Sequence, residues 1–167
     1  YRLKVTLFIS IFFISCSSSY EFLSKNSLVP SNDFSKYLLN EYQIKADFEA
    51  QKMHDWNSAK LYSEKALKAI DGIKLEPEVI TYWKIPEKHK VELEKAYDNL
   101  MKVYKIAIET SPYDLAVAIS SLDCWAEQQE ENWQTWDIDQ CRNDFLSAMH
   151  DIFGSLEKEE KISTKQK

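Results

Sequence analysis

The sequence predicts an all-α fold of antiparallel helical hairpins, about five helices, and three observations carry that prediction. Turn-forming residues are scarce, with only 2 Gly and 4 Pro in 167 residues, which leaves little material for the turns of a many-stranded fold. Apolar residues recur at spacings of three and four over long stretches. The few breakers that exist fall between those stretches rather than inside them. A chain of this length fits one domain with its own hydrophobic core. The net charge of -6 lacks the clustered basic footprint of a nucleic-acid-binding or anionic-lipid-binding surface, so no nucleic acid is expected as a partner.

The N-terminus reads as an export signal over residues 1–15. Arg2 and Lys4 precede an apolar run from Val5 to Ile14, broken only by Thr6 and Ser10 and followed by Ser15, Cys16 and a serine cluster. That run is shorter than the roughly 20 residues needed to span a bilayer as a helix, so a processed signal is expected rather than a permanent span. Phe13, Ile14, Ser15 and Cys16 resemble the lipobox of bacterial lipoproteins, although Phe13 stands where Leu is usual. The resemblance implies diacylation of the Cys16 thiol, and acyl chains contribute about 0.8 kcal/mol per buried methylene. Ser17 is not Asp, which in such lipoproteins implies transport to the outer membrane, with the chain facing the periplasm. The Ser-rich, aperiodic segment 16–30, closed by Pro30, reads as a tether.

The helical domain is expected over residues 31–155. Ser31 or Asn32 caps a helix whose apolar face runs through Leu39, Tyr42, Ala46, Ala50 and Met53. Asp55 caps a second helix, with Trp56, Ala59, Tyr62, Ala66 and Ile70 on one face and Gly72 at its end. Ala46, Ala59 and Ala66 resemble the small residues of a tetratricopeptide unit, where they let two helices approach closely. Only one such unit is visible, and an ordinary αα-hairpin fits as well. The stretch from Ile73 to Pro86 lacks a helical period and reads as an ordered crossover.

A third helix from about Glu87 to Thr110 carries Leu93, Ala96, Leu100, Val103 and Ala107 on its apolar face. A fourth follows Pro112 with Leu115, Ile119, Leu122 and Ala126, ending in a polar run that reads as a solvent-facing helix end. A turn is expected near Asn132 to Thr135. The fifth helix carries Ile138, Cys141, Phe145, Met149 and Ile152 and stops at Gly154, leaving 156–167 as a charged disordered tail.

Cys124 and Cys141 form the most informative pair. In an oxidising compartment thiols pair, but in one continuous helix these two would lie about 25 Å apart at 1.5 Å per residue. A hairpin with its turn at Asn132 and Trp133, midway between them, brings them to equal height, so a disulfide is expected. Nothing at ligand spacing suggests a metal, and no cofactor motif is present. The acidic run offers Glu127, Glu130 and Glu131 without a second catalytic group, so no catalytic residue is assigned and an enzyme is not expected. Trp125, Gln128, Gln129, Glu130, Trp133 and Trp136 form a candidate partner surface, since aromatics among polar neighbours suit recognition.

Asp123-Cys124-Trp125, the run from Glu127 to Glu131 and Cys141-Arg142 together resemble the helical N-terminal region of OmpA-family lipoproteins of alphaproteobacteria. The likeness covers about residues 34–153 and includes Asp55-Trp56, Gly72, Pro77 and Pro86. It implies a lipid-anchored envelope module supporting outer-membrane to peptidoglycan organisation, with the membrane and an envelope protein or peptidoglycan-associated partner as its contacts. The alternative is a periplasmic helical lipoprotein that binds a ligand or partner. In the family a C-terminal OmpA-like domain holds the peptidoglycan, and none of its binding residues has a counterpart in these positions.

Overall fold

A computed structural model describes residues 18–70, 75–133 and 135–165. Among these residues the chain forms six α-helices and no strand: α1 (Ser18–Lys25), α2 (Asp33–Phe48), α3 (Trp56–Ile70), α4 (Glu87–Thr110), α5 (Pro112–Glu131) and α6 (Thr135–Lys165). The all-α reading and its hairpins therefore stand. Cys16 and Gly72 lie outside the described residues. No described helix is long and apolar enough to cross a membrane.

Local chemistry sets most of the boundaries. The Asn32 side chain accepts the Ser35 N–H at 2.9 Å and starts α2, while Asp55 accepts the Asn57 and Ser58 N–H groups at 2.8 and 3.0 Å and starts α3. Pro112 occupies the first turn of α5, where its missing N–H costs nothing. Asn132, with φ of 54°, closes α5 in the left-handed conformation. Between α2 and α3 the helix widens into a π-helical turn, Glu49–Met53, which His54 closes with φ of 57°.

Helix α5 is the axis of the domain. Helices α2, α4 and α6 all pack on it, and every residue from Ala118 to Gln129 is buried. Helices α2 and α3 form the first hairpin, in which Ala46, Ala59 and Ala66 are fully buried. The crossover runs from Leu75 to Pro86 with a single 3-10 turn, Ile80–Tyr82, and anchors itself through buried Ile80 and Trp83.

Three expectations are corrected. The segment 16–30 is not simply a tether, because Ser18–Lys25 is a helix that packs on α3 and buries Leu23 to 2 % exposure. Tyr20 secures it through a hydroxyl bond to Asp47 at 2.9 Å and an edge-on contact with Trp56. One fully buried residue, Leu23, on a helix of eight leaves little periodic signal to read. Gly154 does not stop the last helix, and the tail is helical to Lys165. The segment is rich in helix-favouring Glu and Lys, and one Gly costs only about 1 kcal/mol in a long helix.

Two substitutions probe these corrections. Leu23→Ala should lower unfolding free energy by about 2–5 kcal/mol in urea titration, the usual cost of emptying a core leucine site; a detached tether would show no change. At Gly154 an added Cβ meets nothing within 4 Å, so Gly154→Ala should stabilise by about 0.5–1 kcal/mol in the same titration.

Candidate functional site

Two groups of buried polar side chains cluster around α5. The first centres on Asp123, which is 1 % exposed. Its Oδ2 pairs with the Lys65 Nζ at 2.9 Å and accepts the Tyr42 hydroxyl at 2.6 Å, while its Oδ1 accepts the Glu78 backbone N–H at 2.8 Å. Lys65 also meets the Glu78 carboxylate at 2.8 Å and lies over the Tyr42 ring. Burial alone would lower the Lys65 pKa, but Asp123 and Glu78 outweigh it and hold the ammonium above its ordinary value. Burial pushes Asp123 upward against the opposing pull of Lys65 and of its hydrogen-bond donors. With its polar groups satisfied, this node joins α2, α3, the crossover and α5.

One turn further along α5, Glu127 is buried at 5 % exposure. It accepts hydrogen bonds from the Ser58 hydroxyl, from Tyr62 at 3.3 Å and from the Gln128 amide at 2.8 Å. Glu49, from the π-helical turn, is also buried, and the Gln128 amide reaches it at 3.5 Å. Burial, aided by the negative charges of Glu127, Asp55, Glu131 and Asp137, pushes Glu49 up to about 8. Burial likewise carries Glu127 up to about 7, with Glu131 adding to the rise and the three hydrogen-bond donors opposing it.

A half-open pocket of about 190 Å³ lies beside this acidic pair, between α2, the π-helical turn, α5 and the start of α6. The Cys124–Cys141 disulfide forms part of its wall, with the two Cα atoms 5.7 Å apart. Ile44, Phe48 and Trp136 supply further apolar surface, and Phe48 meets Trp136 edge-on at 6.3 Å. Glu49, Gln128 and Asp137 supply oxygens from three different elements. Among the described residues no group of three or more His, Cys, Asp and Glu is placed to hold a metal ion.

The expected disulfide is present, whereas the expected partner surface divides. Trp133 and Trp136 are exposed by 69 and 58 %, and Glu130 is half-buried, with its carboxylate accepting the Lys84 backbone N–H at 2.8 Å. Trp125, Gln128 and Gln129 are buried at 2–3 % exposure and cannot present a surface. The solvent-facing reading of the acidic run fails for Glu127, Gln128 and Gln129, which α2, α4 and α6 help to cover, and holds for Glu131 and Asn132, which are exposed. Trp125 lies beneath the Arg142 guanidinium at 5.6 Å, and Arg142 in turn pairs with Glu92 on α4 at 2.6 Å.

Sequence reasoning missed Tyr42, Lys65, Glu49 and Asp137 as polar site members. A signal existed for Lys65: it lies three residues after Tyr62 and directly before Ala66, within the buried arc of its helix. No such signal marks Glu49, because a π-helical turn rotates the face that a regular helix would present. Comparison with protein-family models, curated proteins and solved structures finds no match for the chain.

Glu49 and Glu127 make stability depend on pH with a definite sign. Their folded pKa values of about 8 and about 7 exceed the ordinary 4.5, so the folded state holds more protons than the unfolded state between those limits. Stability should therefore fall as pH rises from about 5 to 8. The melting temperature should drop by roughly 5–10 °C across that window, and Glu49→Gln should remove much of the drop in a differential scanning series.

Proposed function

We propose that the chain is an exported, lipid-anchored helical module of the cell envelope that acts by binding rather than catalysis, supporting outer-membrane to peptidoglycan organisation through a partner. The Cys124–Cys141 disulfide carries this reading, since both cysteines are buried between α5 and α6 and such bonds persist in oxidising compartments. It agrees with the order of basic residues, apolar run and Cys16 at the N-terminus. The buried carboxylates support binding over chemistry, because Asp123 and Glu127 are engaged by groups of their own chain. For the partner surface, the exposed Trp133 and Trp136 at the α5–α6 turn are the strongest remaining candidates.

Helix α1 alters how such an anchor would work. Cys16 is two residues from Ser18, a reach of at most about 7 Å. A lipid there would hold the domain against the bilayer instead of at the end of a long tether. The second reading, a ligand-binding helical lipoprotein, is favoured by the pocket beside the disulfide.

Expression of the full chain in a bacterium with an outer membrane, in the presence of labelled palmitate, tests the proposal. The wild-type chain should carry label and sediment with outer-membrane vesicles, whereas Cys16→Ser should lose both properties. An unlabelled wild-type chain in the soluble fraction would overturn the lipid-anchor reading.

A further inference from the structure

Glu49 fixes two things at once at the junction of α2 and α3. Its backbone carbonyl accepts the N–H groups of both His54 and Asp55, the bonds that close the π-helical turn, and its side chain is buried at 5 % exposure beside Gln128 of α5. Closure of the turn and burial of a carboxyl thus depend on one residue. Donors for that carboxyl are scarce. Glu127, equally buried, accepts the Ser58 and Tyr62 hydroxyls, and the Gln128 amide nitrogen lies 2.8 Å from Glu127 but 3.5 Å from Glu49. One long bond does not replace the hydration of a carboxylate, whereas a protonated carboxyl needs far less and brings a donor of its own. The oxygen of the same Gln128 amide is buried without a donor.

Charges press in one direction from the neighbouring elements. Glu127 and Glu131 act on Glu49 from α5, Asp55 from the start of α3, and Asp137 from α6. Tyr62 of α3 is coupled to it, and Tyr20 of α1 holds the turn by accepting the Gln51 amide at 3.0 Å while donating to Asp47. Lys45 of α2 is the opposing cation and is shared with Glu41 and Asp144, while Lys52 on the turn itself is exposed.

We infer that the π-helical turn is a pH-operated latch on the pocket beside the disulfide: a proton on Glu49 keeps the turn seated on α5, and loss of that proton releases residues 49–54 outward while the helical core stays folded. Phe48 and Glu49 line that pocket, so release opens one of its walls. Outside, the carboxylate stands four residues after Lys45, a spacing at which opposite charges on a helix attract. Opening also relieves His54, at φ of 57°, of a left-handed conformation that L side chains rarely adopt. The seated turn holds its proton up to about pH 8 and the released turn gives it up near the ordinary 4.5, so rising pH favours release. Between about pH 6 and 8 the opening constant should grow by about 10-fold or more.

Residue-resolved hydrogen exchange on the oxidised full chain tests the latch, with the His54 and Asp55 amides as probes and the Trp125 and Ala126 amides of α5 as reference. Protection factors of the probes should fall by about 10-fold or more between about pH 6 and 8. They should do so through an opening that low urea does not promote, because local release exposes little surface. The reference amides should keep the urea dependence of global unfolding. Glu49→Gln should restore probe protection at the upper pH, and Glu92→Gln on α4 should leave the response intact. Should Glu49→Gln fail to fold, Glu127→Gln serves in its place and should cut the response several-fold, because it removes the largest charge acting on Glu49. Probes that exchange only together with α5, at the urea dependence of global unfolding, or that keep their protection at the upper pH, would overturn the inference.

Discussion

The contact between Lys65 and Asp123 is the constraint around which the domain is arranged. Both groups are almost fully removed from water, and desolvating a charge costs several kcal/mol unless a partner and hydrogen bonds replace the lost hydration. Every element that supplies such a group is thereby obliged to be present. Tyr42 brings α2, Lys65 brings α3, the Glu78 backbone brings the crossover and Asp123 sits on α5. Loss of one partner leaves an uncompensated charge in the core, at a cost of about 3–5 kcal/mol. An apolar core alone would tolerate some sliding of these helices, whereas this node accepts one register.

The cysteine and tryptophan series on α5 acquires a packing explanation from the same arrangement. Asp123 faces the first hairpin, Cys124 bonds to α6, and Trp125 lies beneath Arg142, so three consecutive residues serve three directions. Only a helix enclosed on all sides can use adjacent positions in that way. In the chain-entropy description the disulfide contributes about 3 kcal/mol for a loop of this length. The Arg142 pair with Glu92 extends the connection to α4.

Legibility in the sequence followed the physics of each element. Helices with one wet face, such as α4, showed their period plainly, and caps at Asn32 and Asp55 acted where their chemistry suggested. The Cys124–Cys141 pairing followed from hairpin symmetry together with the expectation of an oxidising compartment. Helix α5 defeated the same reasoning because burial all round erases the contrast between faces, and Glu127, Gln128 and Gln129 then look like surface. Pairings such as Tyr42 with Asp123, separated by 81 residues, leave no local trace. The pocket was illegible for a related reason, since Glu49, Gln128 and Asp137 come from separate elements and meet only in three dimensions.

The position of Lys65 also bears on how far the first hairpin can be a domain by itself. The first hairpin contains a lysine on its buried face whose carboxylate partners both lie outside it, Glu78 in the crossover and Asp123 on α5, 58 residues further along the chain. Without them the hairpin must keep that ammonium wet, and with it the apolar surface that Ala66 and Tyr62 would otherwise bury. The hairpin alone is therefore a poor half-domain, and its burial requires α5. A single charged residue thus ties the stability of the N-terminal hairpin to the presence of the helix that completes it.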